Sequence, residues 1–341
     1  MKSGITSRLL WSAYTFAHAS REKRLPWAPL ERLLQLQNRR IQPIVQFAWR
    51  HVPFYRQAMQ ERGLTPASFR TAADLARLPL IDANLYSQTP HLFQPTGVDL
   101  GPLLKLHSSG TTGRSKYFTY DARALFLALA HGHRQRHVLA RFTGRLAGYR
   151  ELNLSRYGSV SAQIRTFFED RLWTPRRVDL TRAFLWTGDL PVEAEISAIN
   201  EFQPDVLMGY GSYLGALFRA AGARGLPLHR PQALVYGADS MSPANRHYIE
   251  TQFNVPVLSF YQSSESLRIG FQCERRLGHH LSLDTVAARV VDPEGHTLPA
   301  GQPGDLVVSN LTNRATVLLN YRLGDVAAFL PDPCPCGRTL P

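Results

Sequence analysis

Lysine is nearly missing from this chain, standing only at positions 2, 23, 105 and 116, although lysine and arginine together number 39 against 26 acidic residues and set a formal charge of +13. The cations are therefore arginines scattered along the whole length, with no basic block. Dedicated nucleic-acid binders gather their charge on one face or stripe, and no zinc-finger, helix-turn-helix or RNP pattern occurs, so dedicated nucleic-acid binding is not expected. Cysteine is equally scarce. Three thiols, an odd number in a long chain, argue against a disulfide framework and for a reducing compartment, with the cytoplasm as the default. Long apolar runs are absent too. The N-terminal stretch MKSGITSRLLWSAYTFAHASREKRLPW is interrupted by serine, threonine and histidine, which makes it a poor signal peptide and too short and polar to span a bilayer. A helix docked on the core is expected there ahead of one lying on a membrane surface.

What is present describes a globular protein. The 341 residues are 44% hydrophobic and 19% charged, enough to bury a core in one large domain or in two or three subdomains. No low-complexity tract or tandem repeat interrupts them. Residues 30–64 carry apolar side chains at helical spacing broken by Pro53, which predicts two packed helices. A helix capped by serine or threonine is expected in PASFRTAADLARLPLIDANLY, ahead of a turn. The short apolar runs PLLKLH, DVLMGY, ALVYGA and VPVLSFY alternate with helical stretches such as YLGALFRAAGARG, the pattern of a parallel sheet with crossover helices. After about Ser266 the pattern changes to short strands divided by proline and glycine turns. An α/β body over residues 1–265 and a small β-rich subdomain over 266–341 are therefore expected.

One loop stands apart from this scaffold. In HSSGTTGRSKYFTYD every position from Ser108 to Gly113 is serine, threonine or glycine. Such a loop offers backbone N–H groups and hydroxyls to an oxygen-rich ligand, most often phosphate, or else is an ordinary surface turn. The GK[ST] ending of a Walker A loop is absent, because Arg114 and Ser115 separate Gly113 from Lys116.

Four motifs in order, SSGTTG (108–113), YGAD (236–239), YQSSE (261–265) and NYRLGD (320–325), together with QNRRIQPIVQFAWRHVPFYR, PDVLMGYGS and the ending CPCGRTLP, resemble the adenylate-forming superfamily. Within it the chain is most similar to the phenylacetate-CoA ligase-like branch and its capsule-biosynthesis relatives. The resemblance implies the large N-terminal domain of that fold, with mostly parallel sheets and flanking helices. It also implies ATP- and Mg²⁺-dependent activation of a small carboxylic acid, aryl or aryl-acetic, as an acyl-adenylate, with CoA as the acceptor. Ser109, Thr111, Thr112 and Gly113 would then wrap the β- and γ-phosphates, in a loop that also holds Ser108 and Gly110, with Lys116 as a nearby cation. Tyr261 would stack on adenine, Gly237, Ala238 and Asp239 would border it, Ser264 would meet the α-phosphate, Glu265 would hold Mg²⁺, and Asp325 would bind the ribose hydroxyls. Taken singly, Tyr261 also reads as a core aromatic, Glu265 as a helix-start carboxylate and Asp325 as a turn residue.

The sequence departs from the family at Gln262, where glycine is usual, at Asp239, where glutamate is more usual, and at Asn320, where arginine is often found. Cys273, His280, Cys334 and Cys336 offer three thiolates and one imidazole for a structural zinc, with three unlinked thiols as the plainer reading. His280 is favoured over His279 by its likeness to relatives carrying such a site. The resemblance further implies a small C-terminal domain of about a hundred residues carrying an adenylation lysine. The chain is expected to end before it, so slow adenylation, and no efficient CoA transfer without a separate C-terminal domain or acceptor protein, is the expectation. Two alternatives stay open: a role in polysaccharide or natural-product biosynthesis, and a nucleotide-binding protein without turnover.

Overall fold

The computed structural model describes residues 4–108, 116–173, 181–188 and 190–341. Helices α1 (Ile5–Glu22), α2 (Leu30–His51), α3 (Pro53–Glu61) and α4 (Ala83–Gln88) precede a hairpin of β1 (Leu103–Ser108) and β2 (Lys116–Asp121). Helix and strand then alternate through α5 (Ala122–Thr143), β3 (Glu151–Ser155), α6 (Val160–Arg171), β4 (Arg182–Trp186), α7 (Val192–Phe202), β5 (Val206–Tyr210), α8 (Gly211–Ala223), β6 (Ala233–Gly237), α9 (Pro243–Tyr248) and β7 (Val257–Ser263). The strands β8 (Leu267–Gln272), β9 (His279–Leu281), β10 (Val286–Val291), β11 (Gly304–Asn310) and β12 (Tyr321–Ala327) complete the order. No helix among the described residues is long and apolar enough to cross a membrane.

Local chemistry sets many of these boundaries. Pro53 occupies the first turn of α3 and holds Val52 extended, so the expected break between α2 and α3 falls there. Two expectations need correction. The segment after Leu64 is not one capped helix: Thr65 and Thr71 each open a short 3₁₀ turn, at Pro66–Ser68 and Ala72–Arg77, and the residue before Pro79 is extended, which stops propagation. PLLKLH does not join the parallel sheet. It becomes β1 and pairs antiparallel with β2, because the seven residues 109–115 between them are too few for a parallel crossover, which needs a dozen or more.

The chain forms two compact units. The first comprises Met1–Lys23, His131–Gln262 and Gly270–His279; the second comprises Arg24–Ala130, Ser263–Ile269 and His280–Pro341. The first is built on the parallel strands β4, β3, β5, β6 and β7, neighbours in that order and the first five of a seven-stranded sheet completed by β8 and β9. Leu152, Leu154, Leu207, Leu234 and Val257 of that sheet pack with Ile196 and Ile199 of α7 and with Leu214 and Phe218 of α8. Near-continuous apolar strands are what a sheet covered on both faces requires. Because β4 lies on one side of β3 and β5 on the other, the strand order reverses there. That is where a crevice opens at the carboxyl ends of an α/β sheet.

Within this unit α1 is held by charge. Glu22, only 3% exposed, pairs with the equally buried Arg134 of α5 and lies 3.6 Å from His131. Glu22→Ala is expected to destabilise the protein by about 3 kcal/mol, since it strands a buried guanidinium. A denaturant midpoint unchanged from the parent would contradict this role.

The second unit joins α2–α4, the β1–β2 hairpin and the antiparallel sheet β10-β11-β12. Its long-range links are polar as well as apolar. Gln37 of α2 donates to the carbonyls of Leu283 and Val286, and the buried Tyr55 hydroxyl accepts from the Leu319 N–H at 2.7 Å. Asp121 closes β2 onto the loop ahead of β12 by accepting from the Arg314 N–H, while Asn313 donates to the Thr119 carbonyl at 2.8 Å. The antiparallel β-rich character expected after Ser266 is found in β10–β12.

Candidate functional site

Ser108 ends β1 and Lys116 opens β2, and the two are register partners. Ser109, Gly110, Thr111, Thr112 and Gly113 themselves lie outside the described residues. The cation at the loop's far end is well defined. Lys116 Nζ lies 3.5 Å from Glu265 Oε1, with side-chain exposures of 12% and 10%. At that burial the ammonium and carboxylate interact through a medium far less polarisable than water, which strengthens each one's hold on the other and on any ion that enters.

Three tyrosines surround the carboxylate. Tyr120 of β2 donates its hydroxyl to the Ser264 carbonyl at 2.9 Å and so fixes the backbone immediately before Glu265. Tyr86 of α4 stacks on Phe118 with ring centroids 4.8 Å apart and donates to the Tyr117 carbonyl. Tyr321, at the head of β12, is fully buried, and its hydroxyl has no hydrogen-bond partner among the described residues. Burial, first, and the Glu265 charge push the Tyr120 phenol well up from its ordinary value. Burial likewise raises Tyr86 and Tyr321, with the Thr316 hydroxyl opposing the rise at Tyr86 and Glu265 adding to both. All three therefore stay protonated through the neutral range. They surround Glu265 with neutral phenols rather than competing anions.

The sequence named Lys116, Ser264 and Glu265 but missed this tyrosine shell. Only Tyr321 carried a signal, standing inside NYRLGD. Asn320 beside it ties three segments together, since its Oδ1 accepts from Arg289, its Nδ2 donates to the Leu78 carbonyl and its own carbonyl accepts from the Ile81 N–H. Asp325, five residues on, is exposed on β12 after Gly324, whose φ of +90° turns the strand there.

In the first unit, Gly237 ends β6 and Ala238 adopts a left-handed backbone at φ +69°, a strained conformation for a residue with a Cβ. That turn delivers the Asp239 carboxylate to the start of α8, where it accepts from the Gly211 N–H and from both the N–H and the hydroxyl of Ser212. The capping explains the GYGS sequence. A Cβ on Gly211 would sit 2.7 Å from the Met241 nitrogen and 2.8 Å from the Tyr236 ring, so only glycine lets the 239–241 loop approach. Tyr261 of β7 is half-buried with its ring centroid 5.8 Å from that of His279, and His279 Nε2 in turn meets the Ser259 hydroxyl at 2.7 Å. Gln262, the next residue, has an exposed side chain.

The thiol and imidazole groups form a third feature. In the second unit the ligand atoms of His280, Cys334 and Cys336 all lie within 4.8 Å of one another, and His280 Nε2 is 3.3 Å from Cys336 Sγ. His280 Nδ1 is 2.6 Å from the Leu340 carbonyl, which keeps the proton on that nitrogen and leaves Nε2 as the lone-pair donor. The Arg338 N–H donates to Cys336 Sγ at 3.4 Å. In the first unit Cys273 is buried after β8, and its sulfur receives the Arg275 N–H, also at 3.4 Å. His279, by contrast, is exposed and turned to Tyr261 and Ser259.

No family model matches the chain. It is 30% identical over 323 residues to a phenylacetate-coenzyme A ligase of Thermus thermophilus, covering 91% of this chain and 69% of that protein. It is 23% identical over 299 residues to protein CapK of Staphylococcus aureus, covering 86% and 62%. Among solved structures, an open conformation of 2-hydroxyisobutyryl-CoA ligase in complex with 2-HIB-AMP and CoA superposes with a TM-score of 0.72 at 20% identity, over 92% of this chain and 68% of that one. At that identity the structural likeness establishes the fold: a mostly parallel sheet flanked by helices with an antiparallel β subdomain.

Proposed function

Because the chain belongs to the phenylacetate-coenzyme A ligase family of adenylate-forming enzymes, we propose that it activates a carboxylic acid with ATP as an acyl-adenylate, releasing pyrophosphate, and passes the acyl group to CoA. The observation that carries this reading is the 30% identity sustained over 69% of a phenylacetate-coenzyme A ligase. An aryl or aryl-acetic acid is the first substrate class to test.

The local chemistry supports particular roles. Glu265 is a carboxylate held in a neutral, aromatic surround with one cation beside it, which fits it to bind Mg²⁺. Bound there, Mg²⁺ would neutralise charge on the phosphate oxygens as the α-phosphate is attacked. Lys116 balances Glu265 in the free protein and is placed at the end of the phosphate loop, from which its ammonium would turn to the β- and γ-phosphates. Ser264, anchored through its carbonyl, would offer its hydroxyl and N–H to the α-phosphate. Ser108, Ser109, Gly110, Thr111, Thr112 and Gly113 are assigned to the other phosphates, Tyr261 to the adenine face, Gly237 and Ala238 to its edge and Asp325 to the ribose. Asp239 acts through the α8 cap, holding that edge in position. Zinc would be held by His280, Cys334 and Cys336, with Cys273 as the fourth ligand.

The likeness to protein CapK favours a second reading, in which the activated acyl group is delivered to an acceptor other than CoA, in polysaccharide assembly. One assay addresses both. Purified protein is given ATP, Mg²⁺ and a panel of aryl, aryl-acetic and short hydroxy acids, with pyrophosphate and AMP followed with and without CoA. Acid-dependent pyrophosphate release that CoA accelerates supports the ligase; release indifferent to CoA supports the second reading. ATP binding with no acid-dependent release under any condition would refute both.

A further inference from the structure

Helix α1 docks on the first unit through polar groups. Arg8 donates to the Leu172 carbonyl from Nε at 2.8 Å and from Nη2 at 2.6 Å. Ser12 accepts from the Trp173 N–H at 2.9 Å and donates to the carbonyl of the same residue at 3.2 Å. Glu22 is buried against Arg134 of α5, and Ala19 is the one other buried residue of the helix. At the helical repeat, Arg8, Ser12, Ala19 and Glu22 fall within an arc of about 80°.

The outward side is apolar. Ile5, Leu9, Ala13 and Phe16, spaced by four, four and three residues, make one stripe, with Leu10 and Ala17 beside it, and all six are exposed. Ile5 is 69% exposed, Leu10 67% and Phe16 76%. Single exposed apolar residues are ordinary on a protein surface; four large ones held in water along one short helix are a docking face.

The charges around the stripe select its partner. Arg21 and Lys23 are exposed at the C-terminal end of α1, and Lys2 precedes the helix in the chain. Glu22 is the single acid of the first 24 residues, and it is buried and answered by Arg134. Trp173, which meets Ser12, is followed in sequence by Arg176, Arg177 and Asp179, so that stretch also leaves positive charge in excess. A second copy of α1 laid on this face would set cations against cations with no exposed carboxylate of the helix to answer them. An anionic bilayer offers acyl chains to the stripe and phosphates to the arginine and lysine.

We propose that α1 seats the protein on an anionic lipid surface, lying in its plane with the apolar stripe in the headgroup region and Arg21 and Lys23 on the lipid phosphates. The helix is too polar to cross the bilayer, and its inward contacts keep the first unit attached to it. This surface is independent of the proposed acid activation.

The test uses the intact chain and co-sedimentation with vesicles of phosphatidylcholine alone, and of phosphatidylcholine with phosphatidylglycerol as about a third of the lipid. Binding at least about tenfold tighter to the anionic vesicles is expected, weakening as salt is raised. Leu10→Ser combined with Phe16→Ser should loosen it at least about tenfold, equivalent to 1.4 kcal/mol or more, with the denaturant midpoint of the parent retained. Ile5→Ser combined with Leu9→Ser disrupts the same stripe and serves if the first pair does not fold. Arg21→Gln combined with Lys23→Gln should remove most of the preference for anionic lipid, whereas Leu330→Ser, an exposed leucine of the second unit, should match the parent. Absence of binding to the anionic vesicles, or undiminished binding in both stripe variants, overturns the proposal. So does a dimer in sedimentation velocity that the Phe16 variant abolishes while the parent ignores vesicles, which would make a second copy the occupant. Acid-dependent pyrophosphate release is a separate readout, so failure here leaves the proposed reaction standing.

Discussion

Glu265→Ala is expected to lower acid-dependent pyrophosphate release by at least about a thousandfold, a loss of about 4 kcal/mol of transition-state stabilisation. The expectation rests on where the carboxylate sits. It is nine-tenths buried, its backbone is fixed through the Tyr120–Ser264 hydrogen bond, and its neighbours are neutral phenols and the Lys116 ammonium. Water can replace a lost metal ligand on an open surface; in this enclosure it would have to enter among aromatic rings. Glu265→Gln should behave like alanine, because the amide keeps the shape and discards the charge. Glu265→Asp should recover part of the rate at raised Mg²⁺. Lys116→Met gives the complementary result: the Michaelis constant for ATP should rise more than the turnover number falls, since the ammonium serves both free and bound states. A Glu265→Ala protein that keeps its rate within tenfold of the parent would remove this residue from the metal's coordination.

Loss of the proposed zinc is expected to be the second large effect. Cys336→Ser is expected to release the metal and to destabilise the second unit by about 5 kcal/mol or more, on the order-of-magnitude scale of structural zinc sites, visible as an early denaturant transition that precedes unfolding of the rest. The geometry behind it is the tautomer lock of His280 on the Leu340 carbonyl, with the sulfur of Cys336 turned to the free nitrogen. The same turn places Thr339, which donates to the carbonyls of Pro26 and Ala28, so a loosened cysteine turn would also release the start of the unit. Metal analysis of the parent protein, purified without chelators, should return close to one zinc per chain. A metal-free parent whose unfolding is indifferent to Cys336→Ser would show three ordinary thiols.

Local patterns revealed much of the scaffold. Pro53 marked the junction of α2 and α3, and the apolar runs DVLMGY, ALVYGA and VPVLSFY became β5, β6 and β7. PLLKLH misled because a short apolar run does not encode its partner; loop length decided that β1 would turn back on β2. The helix expected after Leu64 failed for a different reason. Two caps six residues apart, at Thr65 and Thr71, each began a separate short turn, and the extended residue before Pro79 ended the second.

Candidate site residues could be named where motifs were short and local, as with Lys116, Ser264 and Glu265, of which the structure pairs Lys116 with Glu265. The tyrosine shell could not, because Tyr86, Tyr120 and Tyr321 come from α4, β2 and β12 and converge only through tertiary folding. Asp239 shows a subtler limit. Its motif marked an important turn, yet the sequence could not say that the carboxylate is spent on capping α8.

The discontinuity of the second unit has a consequence for biosynthesis. Its closing contacts join residues 262 and 264 positions apart, Tyr55 to the Val317 and Leu319 carbonyls, and 197 apart, Thr119 to Thr316. A ribosome adding about 5–20 residues per second, by the general rate, needs on the order of ten seconds or more to supply those partners. Meanwhile the stretch from His131 to Gln262 can collapse on its own βα units as they emerge. The nascent chain must therefore carry α2, α3 and the β1–β2 hairpin with their apolar faces waiting, a period in which trigger-type chaperones rather than the protein's own packing would guard them. Translation speed across residues 131–262 should accordingly set the yield of folded protein.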